Sequence, residues 1–331
     1  MNEWKEYTFS EFIQINPSVK LPKDKVVSFV EMKDLVDGRR FCIPSSERRN
    51  GSGSKFQEYD TLFARITPCL ENGKIAQAKG LKDGIGLGST EFLVFRGKPS
   101  ISDNNFVYYL SRWEEVRAHA EINLDGTSGR QRVPKECFND LKLILPTDLA
   151  EQRAISSILS SLDDKIDLLH RQNATLEKLA ETLFRQWFVE EAKEEWETKP
   201  LSSIAYFLNG LACQKYPPKN DLEKLPVIKI KELSSGITEN SDWATTDVKP
   251  EYIVKNGDVI FAWSASLMVK IWDGQDCILN QHLFKVTSEN YPKWFYFLWC
   301  KHHLDEFIAK AASHATTMGH IKEAIWMMQW Y

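Results

Sequence analysis

The sequence predicts an α+β protein made of two related domains, small mainly antiparallel sheets with helices, joined by one long coiled-coil helix. Three observations predict it. An apolar repeat with steps of three and four runs unbroken through the middle of the chain. Segments on one side of it recur, in the same order, on the other. Within each flank, short strand-like runs are punctuated by Gly-rich turns. A length of 331 residues suits two or three domains. With 43% hydrophobic and 12% aromatic residues, the chain has ample apolar surface for packed cores.

The middle segment has the clearest pattern. Ile155, Leu159, Leu162, Ile166, Leu169, Asn173, Leu176, Ala180, Leu183 and Trp187 follow one another in alternating steps of four and three. In a heptad, Leu159, Ile166, Asn173, Ala180 and Trp187 take a, while Ile155, Leu162, Leu169, Leu176 and Leu183 take d. Asp148 is the expected N-cap, with Glu151 three residues on as its capping-box partner. Pro146 stands before the helix, and the Glu-rich stretch 190–197 with Pro200 follows it. The predicted division is therefore 1–147 for the first domain, 148–196 for the helix and 197–331 for the second domain. A Leu-rich stripe of this kind must be buried against something, and Asn173 at an a position restricts which partner helix fits. A long core helix in an ordinary domain is the competing account, but four unbroken heptads favour a coiled-coil seam.

Four pairs of segments carry the repeat. Phe29–Leu35 with Gly38 parallels Ile228–Leu233 with Gly236. Asp60-Thr61-Leu62-Phe63-Ala64-Arg65 parallels Asp258-Val259-Ile260-Phe261-Ala262-Trp263. Ser89–Phe95 parallels Asn280–Val286, and Gly126–Gln131 parallels Ala315–Ile321. After Ile321 the chain runs only to Tyr331, so the second copy reads as truncated, without a second long helix.

Signatures of catalysis are sought and not found. Gly84-Ile85-Gly86-Leu87-Gly88 is followed by a strand pattern, not the helix a dinucleotide turn needs. Gly51-Ser52-Gly53-Ser54-Lys55 lacks the spacing of a phosphate loop, leaving a flexible loop or a DNA contact. Phe295–Lys310 reads as one helix, in which the adjacent His302 and His303 face apart and cannot share a metal. The six cysteines are far apart with no CxxC pair, which argues against zinc and against a secreted disulfide framework. No run approaches the roughly 18 apolar residues of a membrane helix, and the start of the chain lacks a signal-peptide layout. A reduced, cytoplasmic protein without metal or membrane is the expectation.

The net charge of −4 does not by itself indicate nucleic acid, but it is unevenly placed. Residues 1–148 hold 22 Lys+Arg against 21 Asp+Glu, residues 149–199 hold 7 against 11, and residues 200–331 hold 13 against 14. Local basic and amide-rich clusters are the candidate DNA contacts. Arg39, Arg40, Arg48 and Arg49 flank a loop with Ser52, Ser54 and Lys55. Such cations attract phosphates and can read guanine with two hydrogen bonds, although solvated surface charge accounts for each pair as well. Thr127, Ser128, Arg130, Gln131 and Arg132 form a second polar turn, matched by Thr316, Thr317, His320 and Lys322 in the other half. Asn280, Gln281 and His282 are dense in base-reading side chains, and a polar strand end explains them nearly as well.

These residues bear a family resemblance. Pro146-Thr147-Asp148-Leu149-Ala150-Glu151-Gln152 resembles the segment that opens the spacer helix of Type I restriction–modification specificity subunits, and Leu162–Ile166 and Leu183–Phe188 resemble later parts of it. Asp60–Lys74, which holds Arg65, Thr67, Asn72 and Lys74, is similar to a stretch of their target recognition domains, and Thr316–Ile321 to the end of one. The resemblance implies a non-catalytic subunit whose two target recognition domains each read half of a split site in double-stranded DNA. It implies methyltransferase subunits docked on the helix and a restriction motor subunit, with S-adenosylmethionine and ATP/Mg bound by those partners only. The chain itself would need no cofactor, and its origin would be bacterial or archaeal. With a second spacer helix expected but missing, the seam is left for self-pairing or for a partner. A coiled-coil scaffold that binds only proteins is the rival reading.

Overall fold

The structure is a computed structural model and describes residues 3–22, 25–49, 51–127, 130–197, 199–238, 240–313 and 329–330. The chain divides into two compact units, residues 1–173 and 174–331.

In the first unit the strands are β1 (Trp4–Thr8), β2 (Ile13–Ile15), β3 (Val26–Val30), β4 (Phe41–Cys42), β5 (Ser46–Arg49), β6 (Ser54–Gln57), β7 (Thr61–Ala64), β8 (Ile75–Ala78), β9 (Ile85–Gly88), β10 (Phe92–Gly97) and β11 (Lys142–Pro146). They form a five-stranded sheet β2-β10-β7-β8-β4, a four-stranded sheet β5-β3-β9-β6 and a ribbon β1-β11. The helices are α1 (Phe9–Phe12), α2 (Asn104–Arg112) and α3 (Glu114–Ile122). Thr8 and Glu11 close a capping box at α1, and Asp103 accepts the N–H groups of Asn105 and Phe106 at α2. Phe9, Phe63, Phe95 and Phe138 interlock at the centre, with ring centroids 5.2 Å apart for Phe63–Phe95 and 5.3 Å for Phe95–Phe138. Such pairs contribute about 0.5–1.5 kcal/mol each beyond the area they bury.

The long helix α4 (Leu149–Arg185) follows and ends in a π turn over Gln186–Glu190. The helical span expected over 148–196 thus stops at residue 190. Glu190, Glu191, Glu194, Glu195 and Glu197 crowd like charges at helical spacing, which opposes further turns. Asp148 caps α4 by accepting the Ala150 N–H at 2.9 Å. Glu151 does not complete the predicted box but accepts from Trp4 Nε1 at 3.1 Å.

The second unit contains β12 (Lys199–Pro200), β13 (Tyr206–Asn209), β14 (Lys224–Ile228), β15 (Trp243–Thr245), β16 (Ile253–Val254), β17 (Val259–Ala262), β18 (Met268–Ile271), β19 (Cys277–Leu279), β20 (Leu283–Thr287) and β21 (Gln329–Trp330). Its sheets are β13-β20-β17-β18 and β15-β14-β19-β16, with a β12-β21 ribbon. The helices are α5 (Ile230–Ser235), α6 (Lys293–His302) and α7 (Leu304–Ser313). Phe295–Lys310 is therefore two helices rather than the one expected, broken at His303, whose ring stacks on Trp299 at 5.7 Å. The core gathers Phe261, Phe284, Trp299 and Phe307 around Phe184 of α4.

The two units repeat one topology. Order β5-β3-β9-β6 matches β15-β14-β19-β16, each with a single parallel pair at its centre (β3–β9, β14–β19). Order β2-β10-β7-β8 matches β13-β20-β17-β18. Three of the four repeated sequence segments fall on equivalent strands: β3 and β14, β7 and β17, β10 and β20. The fourth involves 315–321, outside the described residues. The shared aspartate has a shared task. Asp60 accepts the Gln57 N–H at 2.7 Å and Asp258 accepts the Lys255 N–H at 2.8 Å, closing the same turn before the central strand. Each also meets a cation on the neighbouring strand, Arg96 for Asp60 and Lys285 for Asp258.

Candidate functional site

In the first unit three loops meet where β7 ends and β10 begins, since Ala64 pairs with Phe92. The β7–β8 loop supplies Arg65, Thr67, Asn72 and Lys74. Arg65 N–H bonds the Glu91 carbonyl at 2.9 Å, and Arg65 O accepts from Val133 N–H at 2.8 Å. Thr67 and Gln131 bind each other through Thr67 N–H to Gln131 O at 3.0 Å, Gln131 N–H to Thr67 Oγ1 at 3.2 Å and Thr67 Oγ1 to Gln131 O at 3.5 Å. Arg132 is held by Glu91, with Nε 2.9 Å and Nη2 2.7 Å from its carboxylate oxygens, and this pairing raises the guanidinium pKa further. Thr127 and Arg130 lie exposed beside them, and Asn72 is exposed on the adjoining loop. Arg65 Nε is buried without a hydrogen-bond partner among the described residues. Ser54 Oγ donates to Phe92 O at 2.7 Å, tying β6 to the same place.

The other candidates of this unit lie elsewhere or are occupied. Lys74 Nζ donates to Met32 O at 2.8 Å. Arg48 stacks over Phe29, 3.5 Å from the ring centroid, and reaches Glu31. Arg49, Ser52 and Lys55 are exposed around the four-stranded sheet. Arg39 faces Asp167 of α4 at 3.8 Å. Arg40 is turned inward and only 9% exposed, with all its hydrogen bonds inside the protein. It lies outside the contact surface, because its neighbours are acceptors within the fold and aromatic rings, not solvent.

The second unit repeats three of the turn's main-chain bonds. Trp263 N–H meets the His282 carbonyl at 3.4 Å, as Arg65 meets Glu91. Asn280 N–H reaches Ile228 O at 3.2 Å, as Ser89 reaches Val30 at 3.3 Å. Leu283 N–H bonds Asn280 O at 2.9 Å, as Phe92 bonds Ser89 at 3.2 Å. The side chains at these positions differ. Where the first unit has Arg65 and Glu91, the second has a buried Trp263 and a half-buried His282, whose Nδ1 lies 3.3 Å from Ser264 Oγ. Gln281 is half-buried beside His282, whereas Asn280 is fully buried and spends its Oδ1 on the His282 N–H. Ser128, Thr316, Thr317, His320 and Lys322 lie outside the described residues.

Sequence reasoning overlooked Glu91 and Ser264. Glu91 sits inside a segment read as strand, and nothing in a linear pattern announces that it will clamp an arginine 41 residues away. Chemically, the first site presents guanidinium and amide donors suited to phosphate and to guanine or adenine edges, and the second presents imidazole and amide groups, with the Ser264 hydroxyl buried against the imidazole. Among the described residues no cluster of His, Cys, Asp and Glu could hold a metal, and no helix is long and apolar enough to cross a membrane.

The profile of the family described as Type I restriction modification DNA specificity domain matches residues 44–178 and again 193–325. The chain belongs to this family. Both matched stretches contain one of the two equivalent turns, Arg65 with Glu91 in the first and Trp263 with His282 in the second. Curated members similar to it include the Type I restriction enzyme EcoEI specificity subunit of Escherichia coli, 31% identical over 208 residues, or 58% of this chain and 34% of that one. The MjaVIII specificity subunit of Methanocaldococcus jannaschii is 24% identical over 87% of this chain and 73% of its own. The matched stretch thus spans about a third of the EcoEI relative. Solved structures with a similar outline include the HsdS subunit from Thermoanaerobacter tengcongensis (17% identity, TM-score 0.40, 99% of this chain and 84% of that one). Another is the Type-I restriction-modification system S subunit from M. genitalium (12% identity, TM-score 0.47, 99% and 84%).

Proposed function

We propose that the chain is the DNA-sequence-recognition subunit of a Type I restriction–modification complex, a binding protein with no catalytic centre of its own. The observation that carries this reading is one turn that recurs with three equivalent main-chain bonds and unlike side chains. In a family of DNA specificity domains, that arrangement suits two readers of different half-sequences. Arg65, Asn72, Arg130, Gln131 and Arg132 form the contact surface of the first unit, braced by the buried Thr67, and Gln281 and His282 belong to that of the second, braced by the buried Ser264. The target is then a bipartite site in double-stranded DNA. Methyltransferase subunits seat along α4 and bring S-adenosylmethionine, and a restriction motor subunit brings ATP and Mg. The functional parts are the recognition domains 1–147 and 197–331 with the spacer 148–196 between them, working inside a bacterial or archaeal cell.

Single-molecule sequencing of adenine methylation, in cells expressing this chain with its methyltransferase subunit, tests the proposal. A split motif with two unlike halves is expected. A palindromic motif would mean that one recognition domain serves twice, and no methylated motif at all would count against the DNA-reading role.

A further inference from the structure

Beyond Ile155, which packs on the first unit's core, the apolar seam of α4 is exposed from Leu159 to Leu176 and a polar stripe faces the first unit. Gln152 is fully buried, donating Nε2 to Ile101 O at 2.8 Å and Pro146 O at 3.0 Å while its Oε1 accepts the Asp103 N–H at 2.9 Å. Ser156 is buried one turn later, and Ser160 and Asp163 continue the same face at steps of four and three. Asp163 accepts from the Tyr109 hydroxyl at 2.6 Å.

Arg40 sits at the centre of this contact. Its guanidinium donates Nε to Gln77 Oε1 at 2.9 Å, Nη1 to Ser160 Oγ at 2.6 Å and Nη2 to Asn105 Oδ1 at 2.8 Å. All three acceptors are neutral, and no carboxylate pairs with Arg40 among the described residues. Gln77 is itself fully buried, and its Nε2 is committed to the carbonyls of Tyr59 at 3.1 Å and Asn104 at 3.2 Å, so its oxygen must point to Arg40. The acceptors come from three elements: β8, α2 and α4.

Burying a cation against neutral partners is costly, and an apolar side chain filling the same space would serve packing as well or better. What a guanidinium adds is direction, because its donors form a rigid planar fork. A packed apolar contact tolerates small rotations of a helix. Here, turning α4 by one residue, about 100°, carries Ser160 away and leaves Nη1 buried without an acceptor.

We propose that Arg40 is a positioning residue that holds the first recognition domain on α4 at one angular setting, and so fixes the number of base pairs between the half-sites. The second clause rests on the proposed function; the first does not. Full-length wild type, Arg40→Met, Arg40→Lys and Ser160→Ala test it by hydrogen exchange and by adenine methylation mapped in the complex with the methyltransferase subunit. In Arg40→Met, amides of residues 152–163 are expected to exchange at least tenfold faster while β7 and β10 stay protected. The same half-sequences should then be methylated at spacers differing by a base pair. Ser160→Ala, which leaves the arginine in place, should show the same changes to a smaller degree and carries the test if Arg40→Met does not fold. Unchanged exchange in these two variants overturns the lock. A single spacer length retained despite loosened exchange overturns its role in spacing, since a merely structural residue lowers methylation equally at every site. Full restoration by Lys overturns the argument from the fork. If wild type methylates nothing, the proposed function fails, and the exchange measurement alone decides the lock.

Discussion

Asp60 has no exposed surface and grips Arg96 with both oxygens, at 2.7 and 2.6 Å, while also accepting a main-chain N–H. Arg96 is itself mostly buried. Asp60→Ala strands that guanidinium and opens the turn at the start of β7, so urea unfolding should report a loss of about 3–5 kcal/mol. Cysteine chemistry gives a second expectation. Burial pushes the thiols of Cys42, Cys277 and Cys300 up to about 12. At pH 8 only about one in ten thousand of such thiols is ionised, and the thiolate is the reactive form. A thiol reagent at that pH should leave these three unlabelled in the native chain and label them on unfolding; labelling at native rates equal to those of a free thiol would contradict the packing. Raising the pH from about 9 toward 12 should erode this protection, because thiols of the unfolded chain ionise across that window while the buried ones stay neutral, which favours unfolding.

On α4 two stripes coexist, and the sequence discloses one of them. The heptad seam was legible because apolar residues repeat at 3-4 spacing. Its residues are exposed along the helix, Leu162 at 57%, Ile166 at 45% and Leu176 at 61%, with Asn173 exposed among them. Ile155 and Leu183 are half-buried at the two ends, and Trp187 is exposed on the π turn. The polar stripe was equally present in the letters, at 152, 156, 160 and 163, but serines on a helix read as solvent-facing until a buried acceptor is known. For the same reason Arg40 looked like a surface cation. The strand repeat could be read because its aspartates and apolar runs recur, whereas the Arg132–Glu91 clamp could not, because it joins distant loops. Leu162→Lys with Leu169→Lys should leave the melting temperature nearly unchanged, as surface substitutions do. The pair should nevertheless prevent the helix from binding its partner, seen as loss of co-purifying methyltransferase subunit or, if α4 pairs with itself, as a fall from dimer to monomer in light scattering. Retention of every partner would show that the seam is not used.

At the scale of the whole chain, the consequence of having two unlike sites is that they should fail independently. Arg65→Ala or Arg132→Ala should alter the base preference in one half of the methylated motif and leave the other half intact, each base-edge contact contributing about 1–3 kcal/mol of discrimination. His282→Ala should do the reverse. A change in both halves from any one of these would refute the assignment of one half-site to each unit. Binding should also weaken steeply with salt as phosphate contacts release counterions. The matched turns carry one more implication, for how such chains diversify. Each recognition turn lies at the far end of a strand that opens on an aspartate-closed turn, Asp60 before β7 or Asp258 before β17, so the strand that carries it is set apart from the side chains it presents. Asp60–Ala64 and Asp258–Ala262 share Asp, Phe and Ala at matching positions, so a genetic crossover that exchanged one stretch for the other would rejoin equivalent strands. The hybrid would inherit an intact joint with a foreign loop, and a new specificity could arise in a single recombination event without a folding defect to repair.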